Sequence, residues 1–471
     1  MAEETVKVRI EKDSIGEEQV PADAYYGLHT SRSLRIFQVS GLKAHPLLVD
    51  AYMMIKMAAA QVNAELGLLD KEVADAIAKA AQEVLDGKLR DQFLVDVFQM
   101  GAGTSFNMNC NEVLANRALE LLGASKGEYS RVNPNDHVNM GQSTNDTFPT
   151  AMRISGRKAL AQLIPQVELL ADALYERAQA FDGIVKAGRT HLQDAVPIRL
   201  GQEFAAYGAT MRKCAKRLST AAESLEELGI GGTAAGTGLN AHPEYPARMV
   251  KRLSELAGFQ FRLAPDLREA MQSHLPIEEA SSALRLLALE LIRIANDLRL
   301  LSSGPTTGFA EIMLPPLQPG SSIMPGKVNP SVPEMLNMVC FQVVGNDLTI
   351  SMAGQAGQLE LNVMMPVMAH NLLMSSQILE NGVRIFRELC VKGIKADEER
   401  CRRYAESTMA LATALNPYIG YARAAEVAKE ALATRRTIRE VVVEKGLLSP
   451  EKAAEVLDPM PMTEPGIRKV S

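Results

Sequence analysis

The spacing of apolar residues between positions 277 and 301 most constrains what this chain can fold into. Steps of three and four residues alternate through Ile277, Ala280, Leu284, Leu287, Leu291, Ile294, Leu298 and Leu301. This period is typical of a long helix that buries one face in a bundle. Pro276 stands at its start, where a missing N–H costs little. The stripe predicts a helix about 40 Å long, at about 1.5 Å per residue.

Three other segments have similar periodicity. Residues 156–180 predict a helix in which Pro165 is a kink or the true start, and residues 202–228 and 331–385 also predict long helices. Helices of this length cannot bury their stripes in a small monomer, so they need one another and copies from other subunits. The sequence therefore predicts a mainly α fold with a long central helical bundle.

The length of 471 residues exceeds the usual size of one hydrophobic core and predicts about three domains. We expect a mixed, mostly helical N-terminal domain over residues 1–142, opening with a short strand from Val6 to Ile10. The central bundle is expected over residues 143–395. A small helical C-terminal domain is expected over residues 396–471, after a break near Gly393.

Composition and charge exclude several classes of function. The net charge of −6 provides no basic excess for nucleic acid or an anionic membrane. The five cysteines are scattered without a CxxC pair, which indicates reduced thiols and a cytoplasmic protein. The N-terminus has no apolar secretory segment, and no window reaches the ~18 apolar residues of a membrane span. No cluster has metal-ligand spacing, so we expect neither metal nor cofactor.

Four polar, glycine-bearing motifs interrupt the helical pattern, and we expect them to be loops. They are GAGTSFNMNCNE (101–112), NPNDHVNMGQSTNDTFPT (133–150), GRTHLQDAVP (188–197) and PGSSIMPGKVNP (319–330). Their Ser, Thr and Asn residues supply short hydrogen-bond donors that reach an oxyanion without a full charge. Caps and turns use the same residue types, but the density of the motifs at the ends of long helices favours a site.

The fourth motif closely resembles the signature of the aspartase/fumarase superfamily, and HVNMGQSTND and GRTHLQDAVP resemble its two other shared blocks. The resemblance extends from YYGLHT, near Tyr25, to MTEPGI near the C-terminus. It implies three mainly α-helical domains and a homotetramer with a twenty-helix core. It also implies active sites that draw residues from three subunits, and a carbon–nitrogen lyase that releases ammonia from L-aspartate to give fumarate.

That reaction removes a weakly acidic proton beside the β-carboxylate and forms a doubly negative aci-carboxylate, which the enzyme must stabilise as it develops. The resemblance implies that Ser321 is the base, used as its oxyanion. Backbone N–H groups of its own loop and Lys327 would stabilise that oxyanion. Paired glycines and prolines (319, 320, 325 and 326) give this loop a hinge-like pattern that suits a lid excluding water.

The resemblance assigns the remaining contacts by substrate group. The α-carboxylate is expected to bind Lys327, Asn329 and Thr190. The β-carboxylate is expected to bind Thr104, Ser143, Thr144 and Ser322. The amino group is expected to bind Asn145 and His191, with Glu334 as the acidic partner that orients the histidine.

Other activities stay open at this stage. Fumarases share these blocks but tend to read THTQD and GTQTNMN, where this chain reads THLQD, with Leu192, and GTSFNMN. Thr306 replaces an arginine of the family pattern, and Met365 stands where aspartases tend to have glutamate and fumarases lysine. A fumarase, or a carbon–nitrogen lyase for another aspartate derivative, is therefore an alternative. A structural lens protein on this scaffold would have damaged motifs, but these are intact.

Overall fold

The computed structural model describes residues 7–466, which are mainly α-helical. The α-helices are α1 (Leu28–Ile36), α2 (Pro46–Glu65), α3 (Lys71–Leu85), α4 (Thr104–Leu121), α5 (Thr144–Ala180), α6 (Leu200–Ser224), α7 (Tyr245–Ala257), α8 (Glu269–Gln272), α9 (Leu275–Leu301), α10 (Ser331–Gln355), α11 (Met365–Leu389), α12 (Glu398–Ser407), α13 (Asn416–Ile419), α14 (Tyr421–Thr434), α15 (Ile438–Glu444) and α16 (Pro450–Val456).

Short strands pair in twos. They are β1 (Val8–Lys12), β2 (Glu17–Pro21), β3 (Val185–Thr190), β4 (Gln193–Arg199), β5 (Glu227–Leu228), β6 (Arg262–Leu263), β7 (Ile312–Met313) and β8 (Lys395–Ala396). The β1–β2, β3–β4 and β7–β8 pairs are antiparallel, and β5–β6 is parallel. The strand expected from Val6 is thus confirmed with a shift, since β1 begins at Val8; Val6 lies outside the described residues.

The chain forms two compact units, each assembled from separate stretches of sequence. Unit 1 comprises the described chain up to Ile164 together with Lys216–Ala288 and Phe341–Glu380. Unit 2 comprises Pro165–Ala215, Leu289–Cys340 and the described chain from Asn381. Because these units are not consecutive segments, they do not test the three consecutive domains, which stay a prediction.

Unit 1 is organised around α2, in which 14 of the 20 residues are buried. Its N-terminus is capped by His45, whose Nδ1 accepts the Leu47 N–H. The Tyr52 ring packs edge-on against Phe106 of α4 at 5.2 Å between ring centres, and against Phe148 of α5 at 5.9 Å. Edge-to-face pairs add to the stabilisation from burial, so this aromatic cluster joins α2 to α4 and α5, the two helices that begin within the first and second polar motifs.

Unit 2 contains the β3–β4 hairpin, which packs against α12, and a C-terminal group of short helices. Leu415, Val441 and Leu457 lie in a separate apolar core of these helices. The end of β4 and the start of α6 contact the C-terminal segment: Arg199 donates to the Thr463 hydroxyl at 2.8 Å, and Gln202 donates to the Thr463 carbonyl at 3.0 Å.

The long helices agree with the periodicity in type but not in every boundary. The helix predicted at 277–301 is confirmed as α9, and the apolar residues of its stripe are buried. The helix predicted at 156–180 begins earlier, at Thr144, and continues through Pro165. Pro165 is therefore not its start, because one missing backbone hydrogen bond is tolerated within 37 residues. The 331–385 stretch is two helices, separated by the segment 356–364.

Three of the expected loops contain regular structure. The second motif includes a helical turn at Pro134–Val138 and the start of α5 at Thr144. The first motif is a loop only up to Gly103, since α4 begins at Thr104 and buries Asn107, Asn109 and Asn111. The third motif is most of the β3–β4 hairpin. In residues 7–466, no helix combines the length and the apolar content that a membrane-spanning segment requires.

Candidate active site

Three predicted residues lie together at the N-terminus of α5, in unit 1. The Ser143 hydroxyl accepts the Asn145 N–H at 3.1 Å, and the Thr144 hydroxyl accepts from the Asn107 amide at 2.9 Å. The Asn145 Nδ2 donates to the Ala234 carbonyl at 2.8 Å. A carbonyl can only accept, so the Asn145 Oδ1 is left as an acceptor for another group. The N-terminal end of a helix also favours an anion.

Asp146 connects this helix start to the glycine-rich segment 229–240. Its buried carboxylate accepts the Ser143 N–H at 2.9 Å and the N–H groups of Gly231 and Thr233 at 3.0 Å each. Burial raises the pKa of Asp146 to about 6, despite these hydrogen bonds. Thr233 has a φ of 56°, which is unusual for a β-branched residue. The carboxylate therefore holds a strained backbone segment beside the predicted site.

Thr104 begins α4 directly after Gly103, which has a φ of 85°. A Cβ on Gly103 would lie 2.1 Å from the ring of Phe148. Both the backbone conformation and the close contact thus require glycine here. The requirement explains the GAGT sequence and fixes where Thr104 enters the helix.

In unit 2, Thr190, His191 and Leu192 lie at the tip of the β3–β4 hairpin and are exposed. His191 and Leu192 form the two-residue turn, and their φ values are 55° and 58°. A turn with two positive φ values is type I′, which favours Asn-Gly. Its occupation by His-Leu stores strain, as is common at functional sites.

A buried group of charged side chains supports this hairpin. The Glu311 carboxylate is fully buried and lies 2.9 Å from Arg189 Nη1 and 3.1 Å from Lys186 Nζ. Lys186 also pairs with Glu203 at 2.7 Å, and burial raises the pKa of Glu203. The Arg189 guanidinium lies 4.2 Å from the centre of the Phe309 ring. The backbone immediately before Thr190 is therefore held by ion pairs and by packing.

The signature loop 319–330 is closed at its base and exposed along the rest of its length. Gly320 donates its N–H to the Lys327 carbonyl at 2.6 Å, and Asn329 Nδ2 donates to the Gly320 carbonyl at 2.8 Å. The Ser321 hydroxyl accepts the N–H groups of Ile323 at 3.2 Å and Met324 at 3.0 Å. Two backbone donors on one hydroxyl oxygen would stabilise a negative charge there.

The structure thus brings the predicted residues into separate local groups. Ser143, Thr144 and Asn145 are adjacent in unit 1. In unit 2, Ser322 and Lys327 are exposed on the signature loop, and Glu334 lies in the first turn of α10. Within the described chain, no hydrogen bond or ion pair joins His191 to Glu334, so the proposed orienting pair stays a prediction, as do the roles of all eleven residues.

The structure also shows supporting residues that sequence reasoning missed. Lys56, Asn107 and Asp146 support the α5 start, and Arg189 and Glu311 support the hairpin. Asn107 and Asp146 lie within the polar motifs, so the sequence contained a signal that could have identified them. Lys56 lies in the otherwise apolar stretch 51–60 of α2, where a single charge can equally mark an exposed edge. In the part of the chain that the structure describes, no group of three or more His, Cys, Asp or Glu side chains is placed to hold a metal ion.

The two departures from the family pattern lie in different surroundings. Met365 is fully buried as the first residue of α11. Thr306 is exposed in the loop that follows α9. Met365 is therefore a core residue of unit 1 rather than a surface contact of the single chain.

Comparison with known proteins gives a whole-chain result. Residues 16–345 match the lyase family model, and residues 411–464 match the model of the fumarase C C-terminus. The chain belongs to the aspartase/fumarase superfamily of lyases. An aspartate ammonia-lyase from a Bacillus species is 51% identical over 460 residues, which cover 98% of both chains. A class II fumarate hydratase from Halobacterium salinarum is 54% identical, also over 98% of both chains.

A solved structure extends this result to the fold of the superfamily. The fumarate lyase:delta crystallin from Brucella melitensis bound to cobalt has a TM-score of 0.95 and 47% identity, over 98% of this chain and all of that one. The mainly α fold predicted for the superfamily is therefore confirmed. Membership also makes this protein a lyase, as the sequence predicted.

Proposed function

We propose that the protein is an aspartate ammonia-lyase, which converts L-aspartate to fumarate and ammonia reversibly, without a cofactor. The observation that carries the proposal is the Ser321 hydroxyl, whose oxygen accepts two backbone N–H groups of its own loop. An ordinary serine is too weak a base, but these donors stabilise its oxyanion. The relatives named aspartate ammonia-lyase, at 51% and 48% identity, support the choice of substrate.

In this mechanism Ser321 removes a proton from the carbon beside the β-carboxylate, and the aci-carboxylate then expels ammonia from the neighbouring carbon. Lys327 stabilises the serine oxyanion and binds the α-carboxylate together with Asn329 and Thr190. The developing charge on the β-carboxylate is stabilised by Thr104, Ser143, Thr144 and Ser322. These are uncharged donors, which suit a charge that appears only during the reaction.

The amino group is held by Asn145 and His191, with Glu334 orienting the histidine. The Asn145 amide supports this assignment, because its nitrogen is bonded to the Ala234 carbonyl and its oxygen remains free to accept from an ammonium group. Leu192 follows His191 in the turn and replaces the threonine that is typical of fumarases. An apolar residue here favours the ammonia-lyase within this proposal.

We further propose a cytoplasmic homotetramer with active sites shared between subunits, built from the three consecutive domains predicted from the sequence. An exposed apolar stripe on α10 supports the oligomer. Met338, Phe341, Leu348 and Met352 follow helical spacing and are 56–64% exposed. Such a contiguous apolar face is typical of a helix that packs against another subunit.

A class II fumarase is the second candidate, because the Halobacterium salinarum fumarate hydratase is 54% identical to this chain. Hydration and amination of fumarate pass through the same carbanion, so the residues assigned above would serve both reactions. A carbon–nitrogen lyase for an N-substituted aspartate is a third candidate, supported by the departures at Thr306 and Met365.

Replacement of Ser321 tests the proposed base. Ser321→Ala should lower the rate of fumarate formation from L-aspartate by about 10²- to 10⁴-fold, the usual contribution of a general base. Ser407→Ala is a suitable control, because Ser407 is exposed in α12 and its hydroxyl hydrogen-bonds to the Arg403 and Tyr404 carbonyls of the same helix. A Ser321→Ala variant as fast as the control would show that another group is the base.

A further inference from the structure

A buried network below the start of α5 has a fixed direction of hydrogen bonding. The Lys56 ammonium is fully buried and donates to Asn139 Oδ1 at 3.0 Å and to Gln142 Oε1 at 2.9 Å. The other end of each amide donates to a backbone carbonyl: Asn139 Nδ2 to Gln142 at 3.2 Å, and Gln142 Nε2 to Val138 at 3.0 Å. A carbonyl only accepts, so both amide orientations are determined from two sides.

The orientation of the Asn139 amide determines the orientation of the Asn107 amide. Because Asn139 presents its oxygen, Asn107 presents its Nδ2, at 3.3 Å. The same NH₂ group donates to the Thr144 hydroxyl at 2.9 Å. The Asn107 Oδ1 is buried and has no partner among residues 7–466. Turning the amide over would place that oxygen against the Asn139 oxygen, so the network determines the orientation of Asn107 as well.

The orientation of Asn107 determines which hydrogen-bonding role remains to the Thr144 hydroxyl. Its oxygen is engaged as an acceptor, and no other described residue receives its hydrogen. We propose that Asn107 is a positioning residue, which makes Thr144 a hydrogen-bond donor toward a carboxylate of the substrate. This inference rests on the proposed function, since it takes Thr144 to contact that carboxylate. It deepens the proposal by explaining why Thr144 presents a hydrogen rather than a lone pair to an anion.

The direct test reverses the direction of this hydrogen bond. In Asn107→Asp, the new carboxylate can only accept, so the Thr144 hydrogen turns inward and a lone pair faces the ligand. Binding of fumarate, measured by calorimetry, should weaken about ten- to hundredfold, the usual worth of a hydrogen bond to a charged group. Melting temperature and circular dichroism establish that the variant folds.

Asn111→Asp is the matched control. Asn111 is also fully buried on α4 and also donates to Asn139 Oδ1, at 3.2 Å, but within residues 7–466 it makes no hydrogen bond to Thr144. Both variants therefore place a new carboxylate beside Asn139 and disturb the same oxygen. Asn111→Asp should weaken fumarate binding by less than about threefold, since Asn107 still donates to the hydroxyl.

A double-mutant cycle with Thr144→Val separates positioning from general damage. If Asn107 acts through the hydroxyl, Asn107→Asp should cost little further affinity once Thr144 is valine. Asn111→Asp should cost the same factor in both backgrounds. If Asn107→Asp costs the same factor with and without the hydroxyl, the inference is wrong. Asn107→Leu, which removes the donor without adding charge, replaces Asn107→Asp in the cycle if the aspartate variant does not fold.

Fumarate is the product from L-aspartate and from L-malate alike, so this experiment does not depend on which substrate the enzyme uses. Wild-type protein that releases fumarate only from L-malate would overturn the proposed function, and the cycle would still decide the inference. Wild-type protein that binds no fumarate would overturn the inference directly.

Discussion

Arg189, just before the hairpin turn, forms an ion pair with the fully buried Glu311 carboxylate, with 2.9 Å between the Arg189 Nη1 and the Glu311 Oε1. Lys186 approaches the same carboxylate at 3.1 Å. Glu311→Ala would leave Arg189 without its carboxylate and Lys186 with Glu203 alone, so we expect the free energy of unfolding to fall by about 3–5 kcal/mol. Chemical denaturation of wild type and variant measures this loss.

Glu290→Ala is the control for that experiment. Glu290 pairs with Arg293 at 2.9 Å, and both side chains are about 40% exposed or more. An exposed pair of this kind contributes at most about 1 kcal/mol. Equal losses in the two variants would mean that the buried pair does not support the hairpin.

The strained turn gives a prediction of opposite sign. Leu192 has a φ of 58°, a conformation that costs an ordinary residue about 1–2 kcal/mol relative to glycine. Leu192→Gly should therefore raise the free energy of unfolding by about 1 kcal/mol. The same substitution at Leu289, exposed in the middle of α9, should lower it by about 1 kcal/mol. Destabilisation by Leu192→Gly would show that the turn is not strained.

Gly27 stands where three other side chains leave no room. A Cβ there would lie 2.7 Å from Glu11 Oε2, 2.8 Å from the Tyr129 hydroxyl and 2.9 Å from Glu112 Cδ. Gly27→Ala should lower the free energy of unfolding by about 1–3 kcal/mol through overpacking. Gly183→Ala meets nothing within 4 Å and serves as the control. If Gly27→Ala and Gly183→Ala have the same free energy of unfolding, the close packing around Gly27 is wrong.

Glu112 gives a dependence of stability on pH. Burial raises its pKa from an ordinary value of 4.5 to about 7, although it accepts N–H groups of Gly27, His29 and Thr30. The folded protein therefore holds this proton more strongly than the unfolded chain does. The contribution of this protonated carboxyl group to the free energy of unfolding is complete below pH 4.5 and is lost as pH rises through about 7.

Glu112→Gln removes this titration. The melting temperature of wild type minus that of Glu112→Gln should therefore fall as pH rises from about 4.5 to about 7. Glu290→Gln, at an exposed site, should give a difference that does not change over this range. A wild-type advantage over Glu112→Gln that grows with pH would mean that the carboxylate is stabilised in its charged form.

The sequence predicted the parts of the fold that depend on long apolar stripes. The α9 helix was predictable because its stripe continues without interruption for 25 residues. The start of α5 was not, because Thr144, Asn145 and Asp146 are residue types that usually cap helices or form turns. The α4 helix was hidden by three asparagines, which are poor helix formers but here are buried and hydrogen-bonded across elements.

The candidate site was predictable as motifs but not as geometry. The β3–β4 hairpin escaped prediction because its turn is His-Leu, without the Asn-Gly signal of type I′ turns. Lys56 and Glu311 escaped because sequence periodicity does not distinguish a buried charge with partners from one at an exposed edge. Their partners, Asn139 and Arg189, are distant in the sequence, so only the fold brings each pair together.

The most direct test of the proposed activity is a comparison of two substrates. Purified protein is given L-aspartate in one cuvette and L-malate in another, and fumarate is followed by its ultraviolet absorbance. We expect fumarate from L-aspartate and none from L-malate. Fumarate from L-malate alone would contradict the proposed ammonia-lyase activity and identify a fumarase. In that case Leu192 would not distinguish the two activities.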